Sequence, residues 1–182
     1  MSTLTVKTLE GFADVNNIIS VSSGHVIYTP GSVVQVVNTT KTDTFSGTSN
    51  TTELLVTGMA ATITPKKTSS KILCTAVINH GQLSTTYKGY FKRNGVKVGV
   101  GDTAGSRQTA SSPFPLATDT NQGMNSVICF LDSPGTTVSL TYQLYVINDN
   151  ATAFNLNRSN ADADSVTGGR YVSTITLMEI AQ

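Results

Sequence analysis

The chain has few of the residue types that catalysis uses. Its two histidines, His25 and His80, have no partner at the spacing of a metal site or a Ser–His–Asp triad, and the sequence contains no G-x-S-x-G motif. His80 ends the strand-like run KILCTAVINH, where we interpret it as a structural histidine. The sequence therefore predicts a protein that is not an enzyme.

Carboxylates are also scarce, with 11 Asp and Glu in 182 residues. Asp162 and Asp164 form the closest pair, in ADADS. Two acids on one loop could hold calcium weakly, but no EF-hand pattern accompanies them, and we interpret the segment as a solvated turn. Glycoside hydrolysis needs two carboxylates across a cleft, and no such pair is recognisable. We expect no metal and no cofactor.

The two cysteines, Cys74 and Cys129, lie in the apolar runs KILCTAVI and SVICFL. The absence of a CxxC motif excludes a zinc knuckle on spacing. Our preferred interpretation is two buried free thiols that pack as small apolar side chains. A disulfide between two packed strands is the alternative.

The charge and hydropathy of the chain limit the classes of partner that we expect it to bind. Charged residues make up 13% of the chain and the net charge is +1, so no field attracts nucleic acid or an anionic membrane. The basic groups lie in TPKKTSSK and YKGYFKR, and strand alternation explains the aromatics of the second as core residues. No apolar run approaches the ~18 residues of a membrane span, and MSTLTVKTLEG lacks the apolar stretch of a secretory signal peptide. N-x-S/T triplets, which matter only in a secreted eukaryotic protein, begin at Asn38, Asn50, Asn150 and Asn157.

Alternation of apolar and polar residues recurs along the chain and predicts strands, whereas no window has helical periodicity. The clearest case is GYFKRNGVKVGVG, in which Asn94-Gly95 predicts a type I′ hairpin turn. About nine strands follow from this pattern. Besides the hairpin, we place them at residues 32–37, 53–56, 60–64, 71–79, 125–131, 138–147, 154–158 and 171–180.

Four strands carry more detailed expectations. In the strand at 138–147, alternation places five apolar residues on one side: Val138, Leu140, Tyr142, Leu144 and Val146. The largely apolar runs at 71–79 and 125–131 predict strands that are buried on both faces. In the last strand, apolar residues do not keep strict alternation, which indicates a β-bulge. Short strands separated by loops of uneven length are typical of an all-β, antiparallel β-sandwich with a jelly-roll-like architecture.

The first 31 residues differ from the rest. Their apolar residues are scattered among turn formers and cannot close a core, so we predict an extended N-terminal attachment arm at 1–31, ahead of a sandwich domain at 32–182. We expect the arm to bind the particle or neighbouring copies through Val6, Leu9, Ile18, Ile19 and Val21. A frayed terminus that adds a strand to the main sheet is the alternative.

One long segment, residues 101–123, is a candidate for recognition because long loops are more often functional than accidental. Its polar side chains could contact sugars. The candidate receptor-binding residues are Arg107, Gln108, Asp119, Asn121 and Gln122. A solvated loop without a partner is the alternative.

Several ordered phrases run through nearly the whole chain. They are MSTLTVKTLEG, ISVSSGHVIYTPGSVVQVV, ATITPKKTSSKILCTAVIN, FKRNGVKVGVG, FLDSPGTTVSLTYQLYV, FNLNRS and YVSTITLMEIA. In these phrases the chain resembles virion structural proteins of tailed bacteriophages, particularly marine and cyanobacterial ones. The resemblance implies β-sandwich modules that form homotrimers, no catalytic residues, and an N-terminal arm that attaches to capsid or tail proteins.

The short arm fits a short fibre, a head fibre or a capsid decoration protein better than a full-length tail fibre. Expected partners are therefore further copies of the chain, other virion proteins and a host-surface glycan, with neither nucleic acid nor membrane insertion. Two other classes remain open. One is a trimeric ligand-binding sandwich resembling C1q and TNF, and the other is a polysaccharide depolymerase with paired acids in a groove.

Overall fold

The computed structural model describes residues 27–49, 51–82 and 84–182. In these ranges the chain is all-β. The strands are β1 (Val33–Lys41), β2 (Phe45–Ser49), β3 (Leu54–Ile63), β4 (Lys71–His80), β5 (Tyr87–Arg93), β6 (Val96–Val98), β7 (Ser112–Phe114), β8 (Met124–Asp132), β9 (Leu140–Ile147), β10 (Thr152–Leu156) and β11 (Ser173–Ile180). The predicted arm contacts at Val6, Leu9, Ile18, Ile19 and Val21 lie outside the described residues.

Two antiparallel sheets form the sandwich, as the alternation predicts. The first contains β1, β11, β4, β10 and β2 in that order, and β8 pairs with β4. Since Val77 of β4 pairs with both Thr174 and Val127, β11 and β8 lie on opposite edges of β4. The second sheet contains β3, β9, β5 and β6, and β7 also pairs with β5.

The core fills the space between the sheets with alternate residues of each strand. In β9 these are Leu140, Tyr142, Leu144 and Val146, all buried, as the sequence predicts. Val138, the fifth residue predicted for this face, precedes the strand and is 60% exposed. Each face of a strand receives every second residue, which explains why alternation locates the core so directly.

The predicted hairpin is confirmed. Asn94 (φ 46°) and Gly95 (φ 88°) both have left-handed backbone, as a type I′ turn requires, and Arg93 pairs with Val96 across it. By contrast, the two strands predicted at 53–56 and 60–64 form one strand, β3. Its pairing with β9 shifts register between Leu55 and Ala60, so a bulge replaces the predicted break.

The prediction that the strands at 71–79 and 125–131 are buried on both faces is wrong. In β4 and β8 one face is buried and the other meets solvent, where Val77 is 36% exposed and Val127 and Leu131 are each 50% exposed. No second layer covers this side among the described residues. An apolar run looks the same in sequence whether its outward half is covered or bare.

The two cysteines also lie on different faces of this sheet, one buried and one exposed. Thr75 pairs with Cys129, so Cys74 and Cys129 project from opposite faces of the sheet. Cys74 is buried and Cys129 is exposed, and both are free thiols. The prediction of two buried thiols is therefore correct for Cys74 and wrong for Cys129, and the alternative disulfide does not form within the chain.

Two short strands escape the sequence patterns. β2 lies in a Thr- and Ser-rich stretch and β7 lies inside the predicted long loop; both have few apolar residues to reveal alternation. The bulge expected in the last strand lies instead in its neighbour, because β1 shifts register between Val33 and Gln35 while β11 remains regular against β4.

Candidate functional site

Two of the predicted receptor-binding residues line a groove beside β5. Arg107 and Gln108, together with Lys88, Ser106 and Asp149, enclose a volume of about 450 Å³. β5 and β9 hold the floor of this groove in place because Lys88 pairs with Ile147, two residues before Asp149.

Hydrogen bonds set the shape of this groove. Lys88 Nζ donates to Gln108 Oε1 at 3.2 Å, and Gln108 Nε2 donates to the carbonyl oxygen of Asn148 at 3.3 Å. The guanidinium of Arg107 donates to the carbonyl of Ala104 at 3.2 Å and thereby stays beside the groove. The walls thus combine two cations, a carboxylate and an amide. Such groups can bond to sugar hydroxyls and to an acidic substituent.

The remaining predicted residues form a separate turn. Asp119 Oδ1 accepts a hydrogen bond from the backbone N–H of Asn121 at 2.8 Å. Gln122 Oε1 accepts from the backbone N–H and the hydroxyl of Thr118. Asp119 and Gln122 therefore stabilise the turn itself. The turn is held in place by the backbone N–H of Ala161, which donates to the carbonyl of Thr120. The groove, by contrast, lies on β5 and β9.

A second groove, of about 260 Å³, lies at residues 162–165 and 168–170. The carboxylate of Asp162, in this groove, forms ion pairs with Arg158 at 3.2 Å and with Arg170. Two guanidinium groups already neutralise this carboxylate, which makes it a poor cation ligand. Within the described ranges, no group of three or more His, Cys, Asp or Glu side chains could hold a metal ion.

His80 is fully buried and stacks on Phe114 with ring centroids 4.9 Å apart. Burial lowers the pKa of its imidazole to about 4. Nε2 lies 3.0 Å from the hydroxyl of Ser126, but Nδ1 has no partner among the described residues. A catalytic dyad needs access to substrate and a group that orients the imidazole, and His80 has neither. It is a structural histidine.

Three of the four basic residues of β5 and β6 are paired with acids, and Lys88 is the exception. Lys92 and Lys97 both contact Glu53, the latter at 3.2 Å, and Arg93 contacts Asp132 at 2.5 Å. Burial by itself raises the pKa of Glu53, but hydrogen bonds from these lysines help to lower it to about 2. The hairpin therefore presents little free positive charge to a polyanion.

The fold makes one of the four N-x-S/T triplets inaccessible. Asn157 is fully buried, and its amide nitrogen donates to two backbone carbonyls, so this side chain is inaccessible. Asn38 and Asn150 are exposed, and Asn50 lies outside the described residues.

The described residues include no helix with the length and apolarity that a membrane crossing requires.

Comparison with known proteins identifies no family. No protein-family model matches the chain, and no curated protein matches it. Among solved structures, it is similar to a chain of infectious bursal disease virus Gt strain (13% identity, TM-score 0.43, covering 100% of this chain and 47% of that one). A VP2 subviral particle of the same virus gives 13% identity and a TM-score of 0.41, covering 91% of this chain and 42% of that one.

A third similarity is to D431N mutant VP2 in T=1 particles of that virus, with 11% identity and a TM-score of 0.38, covering 98% of this chain and 44% of that one. The chain thus spans less than half the length of these matches. With identities this low and TM-scores below 0.5, they do not establish a family, and the function has to be argued from the chain's own residues.

Proposed function

We propose that this protein is a non-enzymatic virion surface protein of a bacteriophage that assembles as a homotrimer. The observation that carries the proposal is an outward sheet face of the sandwich that is rich in exposed aliphatic side chains. Exposed apolar surface of this kind is typical of contact with other proteins. The resemblance of the sequence phrases to bacteriophage virion proteins supports the particle as the place of that contact.

In this proposal the arm at 1–31 attaches to capsid or tail proteins and the sandwich at 32–182 projects outward. The length suits a short fibre, a head fibre or a capsid decoration protein. The attachment residues are Val6, Leu9, Ile18, Ile19 and Val21. These apolar residues are scattered along the arm, a pattern suited to docking along an existing surface.

Host-surface glycan adhesion is an accessory activity in this proposal. The groove lined by Lys88, Arg107, Gln108 and Asp149 supports it, because it combines groups that bond to hydroxyls with groups that pair with an acidic substituent. The turn of Asp119, Asn121 and Gln122 would act through its exposed edge, since the Asp119 and Gln122 side chains bond within it.

Immuno-electron microscopy of purified particles, combined with light scattering of the isolated protein, tests the main proposal. Antibody labelling on the virion and a mass three times the 19.2 kDa of the chain are the expected results. A folded monomer that never enters particles would contradict the proposal.

Adhesion is tested separately on a glycan array. Wild type should bind host polysaccharide without releasing reducing sugar, and Arg107→Ala with Lys88→Ala should lose binding. Lys66→Ala, on a different loop, is the control for general loss of charge. Equal binding by all three proteins, or release of sugar, would contradict adhesion through this groove.

A further inference from the structure

One side of the first sheet carries a single charged residue over four neighbouring strands. We call this side, formed by the outward residues of β1, β11, β4 and β8, the outer face. The pairing registers align Val36, Met178, Leu73 and Leu131 in one row across all four strands. Val77 and Val127 form a second aliphatic pair. On these four fully described strands, Lys71 is the only charged residue in an outward position.

The polar residues of the outer face already bond to one another. Asn38 Nδ2 donates to the hydroxyl of Thr176 at 2.8 Å, and Asn125 Nδ2 donates to Asn79 Oδ1 at 3.3 Å. Polar groups that keep their hydrogen bonds cost less to remove from water than groups that lose them. Covering this face with a protein surface would therefore bury aliphatic side chains at a small polar cost.

The free edge of β8 adds a second, independent feature. All nine residues of β8 pair with β4 without a register shift, and no described strand pairs with its other edge. Proteins usually protect such an edge with Lys, Pro or a bulge, and MNSVICFLD contains none of them. Its one charge, Asp132, pairs with Arg93 and accepts a hydrogen bond from Tyr142.

The size of the outer face suits contact between proteins. Four strands about 4.8 Å apart, over nine residues of about 3.3 Å each, cover roughly 600 Å² before side-chain relief is added. This area, to which both the aliphatic and the polar outward residues contribute, approaches the ~800 Å² per partner of a standard interface.

We propose that neighbouring copies of this chain in the homotrimer cover the outer face, with the edge strand β8 inside the contact. A near-absence of charge lets identical faces approach without repulsion, whereas a charged partner would gain nothing here. Aliphatic rows and an unprotected edge strand are both features that another copy of the same sheet complements. This inference rests on the proposed self-assembly and specifies the surface that performs it.

Cys129 provides a probe, since it lies on the outer face between Val127 and Leu131, while Cys74 is buried in the core. The test compares wild type with Val127→Glu/Leu131→Glu, and Val96→Glu on β6 is the matched control because Val96 is 62% exposed on the other sheet. Each protein is measured by light scattering and by the rate at which maleimide alkylates Cys129.

Wild type and Val96→Glu should be oligomeric with slow alkylation. The double variant should be a folded monomer whose Cys129 reacts about tenfold faster or more, as expected when a protected site becomes open. Neighbouring glutamates disfavour the thiolate and by themselves slow the reaction, so acceleration can come only from uncovering the face. If circular dichroism shows that the double variant is unfolded, Val36→Glu on β1 replaces it, with the same expectation.

The outcomes separate this inference from the proposed function. An oligomeric double variant with rapid alkylation throughout would show that copies meet elsewhere, which overturns the inference and leaves self-assembly intact. A monomeric wild type with rapid alkylation would overturn both. A monomeric wild type with slow alkylation would mean that the chain's own N-terminal segment covers the outer face, which also overturns the inference.

Discussion

The side-chain amide of Asn157 donates a hydrogen bond to the carbonyl oxygen of Lys41 at 2.8 Å, across 116 positions of sequence. The same nitrogen donates to the carbonyl of Asp43 at 3.0 Å, and Oδ1 accepts from the hydroxyl of Ser173 at 2.6 Å. Asn157 is fully buried and has a left-handed backbone with φ 59°. One residue thus joins the β1–β2 connection to the start of β11.

We expect Asn157→Ala to be among the most destabilising single substitutions in the chain. It leaves two carbonyls and a hydroxyl without their partner, and the unfolding free energy should fall by about 3 kcal/mol. Urea denaturation measures the change. Asn157→Gly relieves the backbone strain but not the lost bonds, so it should recover about 1 kcal/mol at most. Asn150→Ala, at an exposed position, is the control and should be nearly neutral; an equal loss there would refute this account.

The hairpin turn offers a test of backbone conformation alone. Gly95 has φ 88° and Gly101 does not have a left-handed φ, while an added Cβ would meet nothing within 4 Å at either position. Gly95→Ala should therefore cost about 1 kcal/mol, and Gly101→Ala should be neutral or slightly stabilising. Thermal unfolding of the pair decides the matter. Equal effects would mean that the turn does not have its left-handed geometry in solution.

His80 should make stability depend on pH. Its pKa is lowered by burial from 6.5 to about 4, so between these values the unfolded chain binds a proton that the folded chain rejects. The stability that neutral His80 contributes to the folded state is present in full above pH 6.5 and declines as the pH falls. It is lost below about pH 4, and the total loss is up to ~3 kcal/mol.

Urea denaturation at several pH values should show this decline in wild type and a smaller one in His80→Gln, which cannot be protonated in that range. The same slope in both proteins would assign the pH dependence to other groups.

The buried carboxylate of Glu179 accepts hydrogen bonds from uncharged donors. Burial by itself raises its pKa, but hydrogen bonds from Ser70, Gln35 and the backbone N–H groups of Lys66 and Lys67 lower the pKa below its ordinary value. Its contribution to stability is therefore present above the ordinary carboxyl pKa and is lost as the pH falls through the lowered one.

Glu179→Gln replaces one accepting oxygen with an NH2 group, which cannot accept hydrogen bonds from these donors. We therefore expect the unfolding free energy to fall by about 2 kcal/mol. Chemical denaturation at neutral pH measures it. Asp102→Asn, on an exposed loop, is the matched control and should leave the midpoint unchanged. An unchanged midpoint for Glu179→Gln as well would show that the carboxylate is not needed where it lies.

Sequence reasoning located most strands because alternation is local. The β5–β6 hairpin and the inward face of β9 follow from residues within a few positions of one another. β2 (FSGTS) and β7 (SPF) were missed because each contains a single large apolar side chain, Phe, and therefore shows no apolar period. They form strands because β10 and β5 supply partners. The same limit applies to recognition: one long loop predicted one site, whereas its residues divide between a groove on β5 and a turn against Ala161.

By itself the amino-acid sequence determined an all-β chain with little charge, recognisable turns and no catalytic motif, because those properties depend on composition and on neighbours along the chain. The tertiary structure alone decided that His80 is buried beside Phe114, that Cys74 and Cys129 lie on opposite faces, and that none of the described residues covers the outward side chains of β4 and β8. Whether a strand has one covered face or two depends on which distant segment packs over it, and a pattern of apolar residues along one strand does not contain that information.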